Sequence, residues 1–365
     1  MAKSFFPAQK QTLTPTKLFR ISDWWETALA PLLTLAYIEI IVLDIPPNRA
    51  TFTLFGLFLS TIALSAYSHL INDIFDIKAD TMVGKSNGMA QLTRSQQLSL
   101  VFLTLLLGVF PWLMLPRTPA ILALLTAILL LQPLYAIPPI RLKGRGIWGT
   151  LSDVFNTHVF PMALVGLVFM ELISKNNNTG RLLLLVAVTW AFLSGLRSIL
   201  LHQIWDHGND LRTDTHTWVR QIGVSRTQKL IYRGVFPLEV LIIIVGGVLL
   251  FPNTPGVILA LGGYAILFWL SVALSIRTDC IDPAPSKPGS YILLFEFYTI
   301  WPAMLLLFAL SIKNAKFFWL LLSHSLLFHG TLRKQAQDLF VLAYLVGRKF
   351  VKLFQWRVLN HTKDE

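Results

Sequence analysis

Asn72, Asp76 and Asp80 recur every four residues directly after an apolar run at about 51–71. If the helix of that run continues, these three oxygen-bearing side chains stack on one face, one turn above another. Carboxylates so stacked repel one another unless something positive lies between them. The chemistry that suits them is capture of a hard cation such as Mg2+, which takes oxygen ligands and keeps water and phosphate in its shell. Asp206, Asp210 and Asp214 repeat the spacing after a second apolar run. One ladder alone reads as a solvated helix face. Two ladders, each where an apolar helix leaves the membrane, can face each other and hold Mg2+ between them, with a diphosphate bridging the metals. Asp73 sits one position off the main face, either as a further ligand or as the holder of another residue.

A second kind of chemistry lies between the ladders, in Tyr135-Ala136-Ile137-Pro138-Pro139-Ile140-Arg141-Leu142-Lys143-Gly144-Arg145-Gly146. The two prolines stop a helix. Arg141, Lys143 and Arg145, at period two, share one side of an extended segment and suit phosphate oxygens. Taken alone, the same cations serve equally as positive charge at a membrane surface. Arg197 lies about two turns before Asp206 inside an apolar run, where it needs a ladder carboxylate or a substrate phosphate as partner. Asp153, Asn156 and His158 form a polar stripe in another apolar run, with His158 reading first as a helix-packing hydrogen-bond donor. Glu39 is an intramembrane acid with two readings, functional or hydrogen-bonded between helices, while Glu239 and Glu296 read as structural.

The elements that must position these groups are membrane helices. Hydrophobic residues make up 54% of the 365 and charged residues 14%, against roughly 25% charged in soluble domains. This excludes an ordinary soluble enzyme. The net charge of +12, a nucleic-acid signal in a soluble protein, here fits anionic lipid and an anionic substrate. The single cysteine, Cys280, excludes an intrachain disulfide, and residues 1–22 lack the apolar core of a signal peptide. Nine apolar runs follow, at about 24–43, 51–71, 97–115, 119–137, 150–172, 182–204, 230–251, 255–276 and 291–311. The loops after the second, fourth, sixth and eighth carry most of the Lys and Arg, which places both ladders and the basic loop at the cytoplasmic face. Residues 313–365 hold a short apolar segment and a basic amphipathic tail. With nine spans that tail would lie on the wrong side for its charge, so residues 317–330 are expected to complete a tenth crossing.

These motifs resemble the UbiA superfamily of intramembrane prenyltransferases. Its N-D-x-x-D-x-x-x-D signature is matched by Asn72, Asp73, Asp76 and Asp80. Its D-x-x-x-D-x-x-x-D signature is matched by Asp206, Asp210 and Asp214, with Thr217 and Gly223 downstream. Tyr135 to Lys143 resembles its Y-S-x-P-P-x-R-x-K segment, with Ala136 in place of the serine. The resemblance covers about residues 24–311. Many acceptor-using members close the loop after the first motif with Arg-Pro; Gly88-Met89 stand there in this chain, with Lys85 as the remaining cation, which leaves the acceptor open.

The resemblance implies an all-α bundle of about nine transmembrane helices around a lateral cavity, comprising residues 23–312 between a cytoplasmic segment 1–22 and the tail 313–365. It implies Mg2+ held by Asn72, Asp73, Asp76, Asp80, Asp206, Asp210 and Asp214. Lys85, Arg141, Lys143 and Arg197 are expected on the diphosphate, and Asp76, Asp210, Lys85 and Tyr135 in catalysis. The activity implied is transfer of a prenyl group from a polyprenyl diphosphate to a lipophilic acceptor, expected to be aromatic. An allylic cation so formed needs an apolar, aromatic chamber, for which Tyr135, Phe155, Phe160 and Trp190 are candidates. A terpene cyclase on the same scaffold and an ion-coupled transporter are the alternatives; acids clustered at one surface count against the transporter. The expected setting is a bacterial inner membrane or an organellar membrane, with lipid and no nucleic acid as partner.

Overall fold

The computed structural model describes residues 14–173, 177–276, 282–286, 294 and 297–361. Among them helices are the regular elements, and strand-type pairing is limited to one isolated bridge, Gly146 to Thr217. A lipid setting demands this, because a spanning segment must satisfy its own N–H and C=O groups. Among the described residues eight helices are long and apolar enough to cross a membrane: α1 Ile21–Val42, α2 Pro47–Val83, α3 Arg94–Leu113, α4 Pro119–Ala136, α5 Ile147–Glu171, α6 Asn178–Arg212, α7 Val224–Leu250 and α8 Pro255–Ala273. The ninth run appears as the shorter α9, Trp301–Lys313. Its expected start, with Tyr291 and Glu296, lies outside the described residues, as do Lys175, Arg277, Cys280 and Lys287.

The boundaries follow from local chemistry. Pro47, Pro119 and Pro255 open α2, α4 and α8 in the first turn, where a missing N–H leaves nothing unsatisfied. Thr93 and Gln96 cap α3 reciprocally. Two of these eight helices stand apart in length. α2 has 37 residues and α6 has 35, so each runs for more than about 50 Å against a hydrocarbon core of about 30 Å. Their surplus carries the two acidic ladders into one shared cavity. α2 stops at Gly84, whose φ of 75° lies in the left-handed region. Glycine takes that conformation without strain, and the chain turns back so that the Lys85 N–H reaches the Asp80 carbonyl at 2.9 Å.

The apolar core joins α1, α2, α4, α5, α6 and α9 through residues such as Leu32, Ile40, Leu57, Ile121, Phe169 and Leu307. α7 and α8 instead present Leu241, Ile244, Val248, Leu259, Ile266 and Trp269 outward. On a soluble protein that surface would be an aggregation liability; around a membrane bundle it meets lipid.

The chain beyond α9 folds back along α1. Lys313 pairs with Asp44 at 2.7 Å, just past the end of α1. α10, Phe318–Leu327, then runs toward the start of α1. There the Leu327 carbonyl accepts from Trp25 Nε1 at 3.2 Å and Thr331 bonds Glu26. Between these ends, Tyr37 OH meets His324 Nδ1 at 3.1 Å, both side chains buried. Residues 317–330, expected to complete a tenth crossing, hold the ten-residue α10, which at about 15 Å is shorter than a spanning helix and runs back along α1. α11, His329–His361, leaves from the cavity end and buries Leu342 and Val346 while exposing Phe340 and Tyr344.

This path puts the tail on the same side as the cavity. With Cys280 replaced by Ser, cysteines introduced one at a time at Ser86 and Gln337 are expected to react with an impermeant thiol reagent from the same side of intact vesicles. Reaction from opposite sides would rule out the return of the chain along α1.

Candidate active site

The first ladder is drawn together by cations from elsewhere in the chain. Asp76, 8% exposed, accepts from Arg141 Nη2 at 2.9 Å through one oxygen and from Lys143 Nζ through the other. Lys143 also reaches Asn72 Oδ1 at 3.4 Å. Asp73, off the main face, takes Arg20 Nη1 at 3.2 Å. Asp80 accepts from Asn87 Nδ2 at 2.8 Å, and the same amide nitrogen bonds the Asp73 carbonyl at 2.8 Å. Asn87 Oδ1 caps the turn Gly88–Gln91 by accepting from the Met89 and Ala90 N–H groups. Asn72, Asp73, Asp76 and Asp80 all line the cavity.

The second ladder has two rungs on the cavity, not three. Asp206 accepts from Lys85 Nζ at 2.8 Å and from Asn209 Nδ2 at 3.2 Å, with His202 Nε2 at 3.6 Å. Asp210 accepts from Thr217 Oγ1 at 3.1 Å. Asp214 departs from the expectation. α6 ends at Arg212, where the Thr213 hydroxyl bonds back to the Asn209 carbonyl at 3.0 Å and the Thr215 N–H takes the Asp210 carbonyl. Asp214 follows in a left-handed conformation, φ 54°, with its side chain 78% exposed and away from the cavity. The hydrogen bond from Arg220 at 2.8 Å, with His216 nearby, holds its carboxyl below the usual range. Spacing of four carries a ligand around only as far as the helix lasts.

The basic loop is a turn, so the expected one-sided extended strand does not form. Arg141 has φ 38° and Leu142–Gly144 make a single 3-10 turn. Arg141 and Lys143 enter the cavity. Arg145 turns back on its own loop and donates to the Ile140 and Pro139 carbonyls at 2.5 and 2.9 Å. Two contacts fix the loop. Gly149 lies so close beneath it that a Cβ would come within 2.5 Å of the Leu142 carbonyl, and the Gly146 N–H bonds the His216 carbonyl at 2.8 Å. Burial lowers the Lys143 ammonium pKa while the Asp76 charge acts against that shift.

Arg197 is not at this cavity. It makes a bidentate pair with Glu239 at 2.6 and 2.8 Å, the side chains 2% and 0% exposed. Glu239, read as structural, is the partner that an intramembrane arginine requires. Tyr135 lines the cavity wall. Of the other aromatic candidates, Phe155 packs with Phe160 and Phe192 at 5.5 and 5.9 Å. Trp190 packs on Tyr298 at 5.4 Å and lines a second, apolar cavity of about 690 Å3. Sequence reasoning missed Asn87, Asn209 and the pairing of Arg20 with Asp73. Asn209 stands one residue before a named aspartate, but Asn87 sends no local signal.

The first cavity, about 710 Å3, is lined by carboxylates, amides, hydroxyls and cations, with six Asp and five Lys or Arg side chains. Hard oxygen donors fit Mg2+ and do not favour softer metals. Among the described residues no three acidic or His groups converge as a ready-made cage. That also fits Mg2+, which takes one or two carboxylates and completes its shell with water and phosphate. Asn72, Asp76, Asp80, Asp206 and Asp210 line this cavity with oxygens of that kind, beside the cations Lys85, Arg141 and Lys143.

The family model described as UbiA prenyltransferase family matches residues 31–287. Two solved structures of a UbiA homologue from Archaeoglobus fulgidus, one bound to DMAPP and Mg2+ and one to GPP and Mg2+, each align with TM-score 0.55 and 14% identity over 84% of this chain and 98% of theirs. At that identity the likeness concerns the fold. Comparison with curated proteins gives no match.

The Arg197–Glu239 pair yields a test of its structural role. Replacing Arg197 by Met strands a buried carboxylate and is expected to destabilise the folded bundle by about 3–5 kcal/mol. Replacing Glu239 by Leu as well should restore most of that. Thermal denaturation of the purified variants in one detergent checks both; equal stability of the single variant and the parent would contradict the assignment.

Proposed function

The chain belongs to the UbiA prenyltransferase family, and from that premise we propose that it transfers a prenyl group from a polyprenyl diphosphate to a lipophilic acceptor in a reaction that requires Mg2+. One observation carries the proposal. The carboxylate face of α2 and α6 and the cations Lys85, Arg141 and Lys143 are interlocked around one cavity, so each anion and each cation is already aimed at a place where its opposite can be exchanged. A metal diphosphate is the ligand that satisfies both sets at once. The Archaeoglobus homologue, solved with DMAPP or GPP and Mg2+, supports the choice by analogy of fold.

In this reading Asn72, Asp76, Asp80, Asp206 and Asp210 hold Mg2+, with Asp73 the holder of Arg20. When bound, Mg2+ would supply charge neutralisation of the departing diphosphate. Lys85, Arg141 and Lys143 release their carboxylates and bind phosphate oxygens, and their stabilisation grows as negative charge collects on the leaving group. The allylic C–O bond breaks, the acceptor bonds to the prenyl carbon, and the acceptor proton leaves. The prenyl chain lies against apolar wall, for which the second cavity with Trp190 and Tyr298 has the right chemistry. Tyr135, at the polar cavity's wall, faces the reacting end. The cavity opens to the cytoplasm on this reading, because Lys78, Arg94, Arg145, Arg212, Arg226 and Lys229 join the cavity cations at that end while Arg49, Arg117 and Arg181 mark the other.

Asp76→Asn and Asp210→Asn should each lower Mg2+-dependent turnover of prenyl diphosphates at least about a hundredfold, because several kcal/mol of charge stabilisation is lost. Either variant with near-parent turnover at millimolar Mg2+ would remove its ladder from the metal site. Arg141→Ala with Lys143→Ala should both raise KM for the diphosphate and lower kcat, since the charge is needed most as the leaving group departs. An unchanged diphosphate dependence would leave these residues as membrane-surface charges. Pyrophosphate release, followed with and without lipid extract, reads both.

A further inference from the structure

α11 lies beyond the residues that the family model matches and lines neither cavity. Its start is fixed to the bundle. Thr331 bonds Glu26 at the entry of α1, and the Gln335 amide donates to the Thr299 hydroxyl at 3.3 Å, both of these side chains buried. From there the helix packs on α8, whose outer face turns Ile266 and Trp269 to lipid. Between His329 and Lys352 it holds five Lys or Arg and one Asp.

Helical geometry places each of these residues around the circumference. Gln335, Leu339, Leu342 and Val346 share one narrow stripe, and it is the stripe that is buried or half-buried against the bundle. Beside it, over about a third of the circumference, stand Phe340, Ala343, Tyr344, Phe350 and Val351. All five are exposed, Phe340 to 76% and Tyr344 to 65%. The remaining arc carries Lys334, Gln337, Arg348, Lys349 and Lys352, all exposed. Arg333, Val341 and Leu345 break the pattern. The helix therefore has two apolar faces, and the bundle satisfies only one. Water is the wrong neighbour for the other. A crossing is no solution either: nine uncharged residues separate Asp338 from Arg348. They measure about 14 Å, less than half of a hydrocarbon core of about 30 Å.

We infer that α11 lies flat in the bilayer surface on the cavity side and gathers lipids with anionic headgroups. Phe340, Tyr344, Phe350 and Val351 enter the acyl region, while Lys334, Arg348, Lys349 and Lys352 meet the headgroups. Each arc then has the neighbour its chemistry requires, as in other helices that rest on a membrane. The exposed apolar arc also continues the lipid-facing surface of α8, so one bilayer covers both. Charge selects this occupant over a second copy of the chain. Two such helices paired antiparallel by their apolar arcs bring cationic edges together, with a single Asp in each to offset them. Anionic headgroups have the opposite sign and attract basic segments at the surface. The result is a local excess of anionic lipid beside α8, whatever the polar cavity binds.

Fluorescence quenching of the full chain in vesicles tests this. With Cys280→Ser as background, a small fluorophore is attached to one introduced cysteine, Tyr344→Cys or Gln337→Cys. The vesicles contain phosphatidylcholine and phosphatidylglycerol. Bromine on the acyl chains is expected to quench the label at position 344 at least about threefold more than the label at position 337, and aqueous iodide the reverse. With one lipid brominated at a time and at equal mole fraction, phosphatidylglycerol is expected to quench the label at position 344 at least about twofold more than phosphatidylcholine. Molar salt should remove that preference by screening, and so should Arg348→Gln, Lys349→Gln and Lys352→Gln together, while Arg348→Lys keeps it. Equal quenching by the two lipids, or a preference that survives the triple substitution, overturns the assignment to anionic lipid. Iodide reaching both labels equally, or a cross-link between copies through Tyr344→Cys in place of quenching by the chains, overturns the placement in the bilayer. Lipid contact is read without turnover, so the outcome stands apart from that of the prenyl-transfer reading.

Discussion

Charge balance in a cavity cut into the edge of a membrane bundle is the constraint on which the rest of the structure depends. Two carboxylates 4 Å apart repel by about 4 kcal/mol at an effective dielectric near 20, and the wall of this cavity gathers six. Such a cluster folds only if cations are brought to it. The chain brings them from far away: Lys85 reaches Asp206 across 121 residues, and Arg141 reaches Asp76 across 65. These pairs tie α2, α6 and two loops into one unit, and the bridge from Gly146 to Thr217 adds backbone to the tie. Exposed ion pairs contribute little to stability by themselves. Their weight here lies in what they can be exchanged for.

The rest of the fold supplies height and dryness. The lengths of α2 and α6 lift the charged groups past the apolar slab, so the headgroup chemistry and the hydrocarbon chemistry are separated along the same helices. Below the charges, Arg197 and Glu239 satisfy each other and present no free ion to the bundle's interior. The second cavity is lined almost wholly by apolar side chains.

Much of this could be read from residue order, and the failures have a common cause. Asn72, Asp76 and Asp80 were legible because one uninterrupted helix carries all three. Asp214 was not, because the end of α6 is set by the Thr213 hydroxyl and the Thr215 N–H, a detail that spacing ignores. Arg141 and Lys143 were legible as cations of the same site as the first ladder, and both enter the cavity beside Asp76. Arg145 was misjudged, since alternation assumes an extended backbone and the chain makes a 3-10 turn. The need of Arg197 for a carboxylate was evident, yet its partner on another helix could not be chosen from sequence. Residues 1–22 read only as a cytoplasmic segment, and nothing local in them announces that Arg20 meets Asp73 at the cavity wall.

The central claim is that carboxylates and cations pair with each other here so that a metal ion and a diphosphate can replace those partners together. The most direct test is calorimetric titration of Mg2+ into the protein with and without an unreactive thiolodiphosphate analogue of a prenyl diphosphate. Because coupling between two ligands is reciprocal, the account predicts weak Mg2+ binding alone, binding at least about tenfold tighter with the analogue, and an equal gain for the analogue when Mg2+ is present. Tight Mg2+ binding that is indifferent to the analogue would contradict it.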